Sequence, residues 1–300
     1  IVGATVVSLG TTSPECGVSV MAAWSGHPGL ALGNAIGSII ADTGLIFGLG
    51  CLLTTLPAER FVLTRQGWVQ FGSALFLSLL CYGAWLRAGA DAALGRWAGV
   101  VLLLLLAGYL YVSVGWSRRH RRGEPFQIDD TIDTRRKARP AAGRLLLLCV
   151  VGLVMVLLAS RALILSVTEL AEAHWHVPQV VIAATFVALG TSLPELVIGM
   201  TSILKGHREI LVGNVIGADV LNVLFVVGAS ALAAPLSIAD PAARLPLILL
   251  VVHLPVMLVI LALFRLFIHT ACRAGHFHRW QGWPLVLIYV GYVVVQYLIA

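Results

Sequence analysis

The chain has 300 residues, of which 59% are hydrophobic and only 11% charged, with a formal net charge of +6. A soluble domain carries roughly a quarter of charged residues, so this composition, with its recurrent apolar runs of bilayer-spanning length, excludes a water-soluble protein and reads as an all-α, polytopic membrane protein. The positive charge is confined to segments between the apolar runs, which removes the case for a nucleic-acid partner.

The first apolar run, Ile1 to Trp24, contains GTTSPE at residues 10–15. Ser8, Thr11, Thr12 and Glu15 fall at i, i+3, i+4 and i+7, on one helical face. Pro14 cannot donate to the carbonyl of Gly10, so the helix has to open in mid-membrane and leave main-chain oxygens without their usual partners. A cation would satisfy them: Gly and Pro loosen the helix, while hydroxyls and a carboxylate supply hard oxygen ligands. The second run, Leu30 to Leu53, adds Asn34, Ser38 and Asp42 at a spacing of four, with Gly33 and Gly37 allowing close helix approach.

Two further runs, Gly67 to Leu86 and Trp97 to Trp116, complete a first half over residues 1–116. Residues 117–143 form a basic linker; its Asp129, Asp130 and Asp133 lack the spacing, the Gly and the terminal Glu of a calcium-binding EF-hand loop. The second half, residues 144–300, holds runs at Leu145 to Val167, Pro178 to Leu204, Ile210 to Leu232, Leu245 to Phe264 and Trp283 to Ala300, nine spans in all. His269, Cys272, His276 and His278 fit no usual zinc spacing and read as surface loop residues. The 5 Cys show no CxxC pair and read as packing residues.

Residues 181–230 repeat residues 1–50 without a gap, retaining Gly10, Thr11, Pro14, Glu15, Gly26, His27, Gly33, Asn34 and Gly37. The first motif returns as GTSLPE, with Ala188, Thr191, Ser192 and Glu195 on one face, and the second as Asn214, Ala218 and Asn222. Asp219 lies beside that face, opposite Ile39 of the first copy. Leu145 to Val167 precedes the second copy and has no counterpart before Ile1, so the offset predicts a first helix missing ahead of this chain. Restoring it gives five plus five spans. An odd number per repeat inverts the second relative to the first and places a substrate site near the midplane, where the repeats meet. Carboxylates at that depth need cations or protons.

Of the 20 Lys and Arg, only Arg87, Arg96 and Arg244 fall on one side of the nine-span topology, with Arg161 inside a span. The opposite side, including the 117–143 linker, is therefore cytoplasmic. The 8 Trp fall near predicted span ends, as an interfacial belt does.

SLGTTSPE with GNAIGSIIAD, and ALGTSLPE with GNVIGADVLN, resemble the two alpha repeats of the cation/calcium antiporter superfamily, in its sodium/calcium exchanger branch of bacterial and archaeal type. The resemblance covers both motifs and the span pattern. It implies a ten-helix antiporter of the plasma or inner membrane that is no enzyme, needs no cofactor or obligate protein partner, and exports Ca²⁺ against Na⁺ entry by alternating access. By position, Glu15 and Glu195 are its central carboxylates; Thr11, Thr12, Thr191, Ser192, Ser38, Asp42 and Asn222 complete the ion sites, with carbonyls near Ser8 and Ala188, and Asn34 and Asn214 beside them.

Three departures stand out. Ala218 replaces a usual Ser, GAD replaces GSN, and the second-helix acid lies in repeat one as Asp42 rather than in repeat two. Alternatives are a Ca²⁺/H⁺ or other cation/H⁺ antiporter, an intramembrane aspartyl protease built on Asp42 and Asp219, and a channel.

Overall fold

The structure is a computed structural model that describes residues 8–121, 179–239 and 245–299, with isolated helical positions between 151 and 169. The expected run Leu145 to Val167 is touched only at those positions, and the linker beyond Arg121 lies outside the described residues.

In the first half, helical residues 8–11 turn at Thr12 into α1 (Ser13–Trp24). α2 (Pro28–Ala41) runs through a π-helical segment, Asp42–Phe47, into α3 (Gly48–Leu53). β1 (Leu56–Pro57), α4 (Arg60–Ala88), β2 (Ala93–Leu94) and α5 (Arg96–Arg121) follow. α5 continues past Trp116 into residues expected to belong to the linker. The basic residues there extend the helix instead of breaking it, since Arg is a good helix former.

The second half holds α6 (Gln179–Ile182), a π-helical segment at Ala183–Val187, α7 (Ala188–Thr191) and α8 (Leu193–Leu204). Then come α9 (Arg208–Leu221), the π-helical Asn222–Val227, α10 (Gly228–Ala233), β3 (Leu236–Ser237), the π-helical Leu249–His253, α11 (Leu254–Ala274), β4 (His276–Phe277) and α12 (Gly282–Ile299). From α8 to β3 each element begins and ends 180 positions after its counterpart between α1 and β1. The duplication is thus structural as well as sequential.

Local chemistry explains the shared boundaries. Gly26 and Gly206 both adopt φ +84°, a left-handed conformation that favours glycine. His27 N–H then donates to the Ala22 carbonyl and His207 N–H to that of Ser202, closing two equivalent helix ends. Pro28 opens α2 where its missing N–H costs nothing, and Glu209 opens α9 with a carboxylate at the positive end of the helix dipole. At the motif prolines, Ala183–Thr191 and Leu193–Leu204 meet at a bend of 48°.

Among the described residues six helices are long and apolar enough to cross a membrane, or seven with the bent pair counted as one. The apolar windows of Pro28–Leu53 and Arg208–Ala233 are 78% and 83% buried, against 33%, 28% and 22% for the helices at Arg60–Asp91, Arg96–Trp116 and Arg279–Ile299. The first two therefore form the centre of the bundle, and the others present residues such as Leu79, Leu104 and Leu287 outward. β1 pairs with β4 and β2 with β3, both antiparallel. β1 and β2 lie at opposite ends of α4, and β3 and β4 at opposite ends of α11, so one small sheet closes each end of the bundle. Each sheet joins the two halves in the way inverted repeats require.

The halves also interlock at their glycines. A Cβ on Gly37 of α2 would meet the Ala184 carbonyl oxygen at 2.5 Å, and one on Gly217 of α9 would collide with the Ser8 hydroxyl. Each central helix thus lies against the motif helix of the other repeat, the close approach that small residues permit within a membrane.

Candidate cation site

The crossing of those four segments brings the motif faces together. Ser8, Thr11, Thr12 and Glu15 are buried while Leu9 and Gly10 between them are exposed, and Ala188, Thr191, Ser192 and Glu195 are buried beside exposed Gly190 and Leu193. Asn34, Ser38 and Asp42, with Asn214, Ala218 and Asn222, are fully buried at the facing central helices. Asp42 and Asn222 each begin a π-helical segment. Such an insertion widens one turn and loosens the main-chain bonding beside these side chains.

Several bonds cross from one repeat to the other. The Ser192 hydroxyl donates to Glu15 Oε1 at 3.3 Å. Thr191 Oγ1 donates to Asn34 Oδ1 at 3.2 Å, and Ser8 Oγ lies 3.2 Å from both the carbonyl oxygen and Oδ1 of Asn214. Asn34 also donates to Ser19 Oγ at 3.0 Å and to the Glu15 carbonyl at 3.4 Å. Both ends of its amide are therefore engaged, and Asn34 braces α1 against repeat two.

What remains unengaged is an unusual set of oxygens. Glu15 Oε2, both carboxylate oxygens of Glu195, both of Asp42, the hydroxyls of Thr12 and Ser38, and the Asn222 side-chain amide are buried without a hydrogen-bond partner. Buried polar atoms are ordinarily paired, and several unpaired carboxylate oxygens in one apolar interior are costly unless a cation or proton compensates them. Among the described residues no group of three His, Cys, Asp or Glu side chains converges as a ready metal cluster. A cation here would thus be held by a pair of carboxylates completed by hydroxyl, amide and main-chain oxygens, a donor set that suits Ca²⁺ and Na⁺.

Asp219 comes nearer to this set than its place in the helical pattern implies. It is buried, and its Oδ2 accepts bonds from Thr43 Oγ1 and Gln70 Nε2, both at 2.5 Å. Oδ1 has no partner. Thr43 follows Asp42 in the chain, so its bond brings Asp219 beside the acid of the central helix. Thr43 and Gln70 were not singled out by the motifs: Thr43 lies one position past the i, i+4 series, and Gln70 is on α4, outside both duplicated segments. The usable signal for Gln70 was a second glutamine one turn away, Gln66, in an otherwise apolar span; its Oε1 is likewise buried and unpartnered.

The model of the family described as "Sodium/calcium exchanger protein" matches residues 1–115 and 144–298. The chain is 31% identical over its whole length to "Putative antiporter CaxA" of Alkalimonas amylolytica, covering 87% of that protein. It is 27% identical, again over its whole length, to "Sodium/calcium exchanger MaX1" of Methanosarcina acetivorans, covering 89% of it. A solved structure of the sodium-calcium exchanger NCX_Mj, soaked with Na⁺ and Ca²⁺, superposes with a TM-score of 0.65 at 26% identity, over 97% of this chain and 85% of that one.

Proposed function

The chain belongs to the sodium/calcium exchanger protein family, whose members are multi-pass membrane transporters and not enzymes, and from that premise we propose that it exchanges Ca²⁺ for Na⁺ by alternating access at the site where the two repeats cross. The observation that carries this reading is the set of buried, unpartnered oxygens on Glu15, Glu195, Asp42, Thr12, Ser38 and Asn222. Thr11, Thr191 and Ser192, with carbonyls near Ser8 and Ala188, complete the ligand set. Asn34 and Asn214 serve more as braces, since both accept bonds from the opposite repeat.

One Ca²⁺ seeks six to eight oxygens and neutralises two charges, whereas Na⁺ ions can share the same carboxylates from the other side. The two cargoes then exclude each other. The empty site leaves its acids close and uncompensated, which disfavours reorientation without an ion and enforces exchange over leak. With the basic 117–143 linker cytoplasmic, inward Na⁺ would drive Ca²⁺ outward.

A cation/H⁺ antiporter is the second reading. Asp219 favours it, because it brings the buried acids to four, two more than one Ca²⁺ balances, and the surplus calls for protons. Radioactive calcium uptake into proteoliposomes, under an outward Na⁺ gradient, a pH gradient or neither, separates the two. Sodium-driven uptake that Glu195→Gln abolishes is expected; uptake driven only by the pH gradient would replace the first reading with the second.

A further inference from the structure

At the β1–β4 end of the bundle, away from the midplane acids, α4 and α11 enclose a cavity of about 370 Å³ lined by Arg60, Thr64, Arg265, His269, Cys272 and Arg273. Two helical series build it. Arg60, Thr64 and Trp68 are spaced by four along α4, and Arg265, His269 and Arg273 are spaced by four along α11, so each set shares one face. The helices can meet closely because Gly67 leaves room for Ile268 and the Arg265 side chain.

We propose that this cavity binds the phosphate headgroup of an anionic membrane lipid. Three guanidinium groups and an imidazole face one space whose lining includes no acid among the described residues. Arg265 is fixed with its guanidinium over the Trp68 ring at 4.5 Å, and its Nε is buried without a hydrogen-bond partner. A planar guanidinium held in this way presents its remaining N–H groups as a fork that suits phosphate oxygens.

The surroundings select a lipid over a free anion. Trp68 is 58% exposed, and from it an outward apolar stripe passes through Leu75 and Leu79 toward the bilayer interior. A headgroup in the cavity would lay its acyl chains along that stripe, with Trp68 at the interface where tryptophan is favoured. Basic pockets between membrane helices are the expected receptors for anionic headgroups. By bridging α4 and α11, the lipid would tie together one helix from each repeat.

The test is native mass spectrometry of the purified exchanger in detergent, supplied with phosphatidylglycerol or, for comparison, phosphatidylcholine. Wild type should retain phosphatidylglycerol selectively, and retention should weaken by about fivefold for each Arg replaced in Arg265→Gln and Arg273→Gln. Arg87→Gln, at the other end of α4, should leave it unchanged. Equal retention of both lipids, or undiminished retention in the double variant, would overturn the proposal. Should the double variant aggregate, Arg273→Gln alone decides, because that side chain is exposed at the rim. Inorganic phosphate that binds lipid-free protein as strongly as phosphatidylglycerol does would assign the cavity to a free anion instead.

Discussion

The two repeats share a backbone and differ in their polar connections. Between α1 and β1 and between α8 and β3 the element boundaries coincide at the 180-residue offset, down to the π-helical segments. The side chains break that symmetry. Ser192 donates to the Glu15 carboxylate at 3.3 Å, while its counterpart Thr12, which faces Glu195, makes no bond of that length. Asn34 is engaged at both ends of its amide, whereas Asn214 leaves its Nδ2 unpartnered. Asp42 faces a neutral Asn222, and Asp219 answers a plain Ile39. A duplicated scaffold supplies helix breaks and close crossings in both halves, and acidic side chains are distributed unequally over it.

The sharpest challenge to that picture is removal of a shared acid. Glu15→Gln and Glu195→Gln should each lower calcium flux roughly 100-fold or more, since a buried ion pair that loses one partner forfeits about 3 kcal/mol or more. Proteoliposome uptake checks both, and a variant that keeps most of its flux would show that the central acids are not equivalent. Next in size is Asp42→Asn, expected to cost roughly tenfold or more on the same grounds. If the pseudo-two-fold axis truly relates the positions, Asp42→Asn combined with Asn222→Asp should recover much of that loss, because charge count and depth are both restored. No recovery would tie the acid to repeat one.

The glycines sharpen the comparison at the level of packing. Gly37 faces the main chain of Ala184, which cannot move aside, and Gly217 faces the Ser8 side chain. Gly37→Ala should therefore destabilise the protein by about 2 kcal/mol, and Gly217→Ala by less, since the Ser8 hydroxyl can rotate away and only its Cβ, at 3.0 Å, then has to give way. Melting of the two variants in detergent should rank them in that order.

Much of this organisation is legible in the sequence because a membrane makes polar residues conspicuous. Glu15, Glu195 and Asp42 stand out in apolar runs, and Ser8, Thr11 and Thr12 share a face by helical spacing alone. The positive-φ turns at Gly26 and Gly206 are marked by the repeated Gly-His. The π-helical segments are not legible, since one extra residue in a turn leaves no periodic trace over six residues. Nor are the two-residue strands, which exist only because loops from different halves meet at each end. The surroundings of Asp219 are hidden for a related reason. Its partners Thr43 and Gln70 come from two other elements, and spacing within α9 carries no information about them.

Asp219 also provides the smallest and most specific test of asymmetry. Its bonds to Thr43 and Gln70 join α9 to the π-helical segment that begins at Asp42 and to α4, a connection that Ile39 cannot make in the other half. Asp219→Asn retains the shape and one acceptor but removes the charge, and Thr43→Val removes a donor of similar volume. Each should change calcium flux only severalfold, as the loss of one hydrogen bond of about 1 kcal/mol does. If Asp219 acts on Asp42 through Thr43, the two substitutions together should cost clearly less than their sum, with a coupling energy of about 1 kcal/mol in a double-mutant cycle. Strictly additive effects would mean that Asp219 influences the site by its charge alone, in which case Gln70→Leu should leave the flux of the Asp219→Asn variant unchanged.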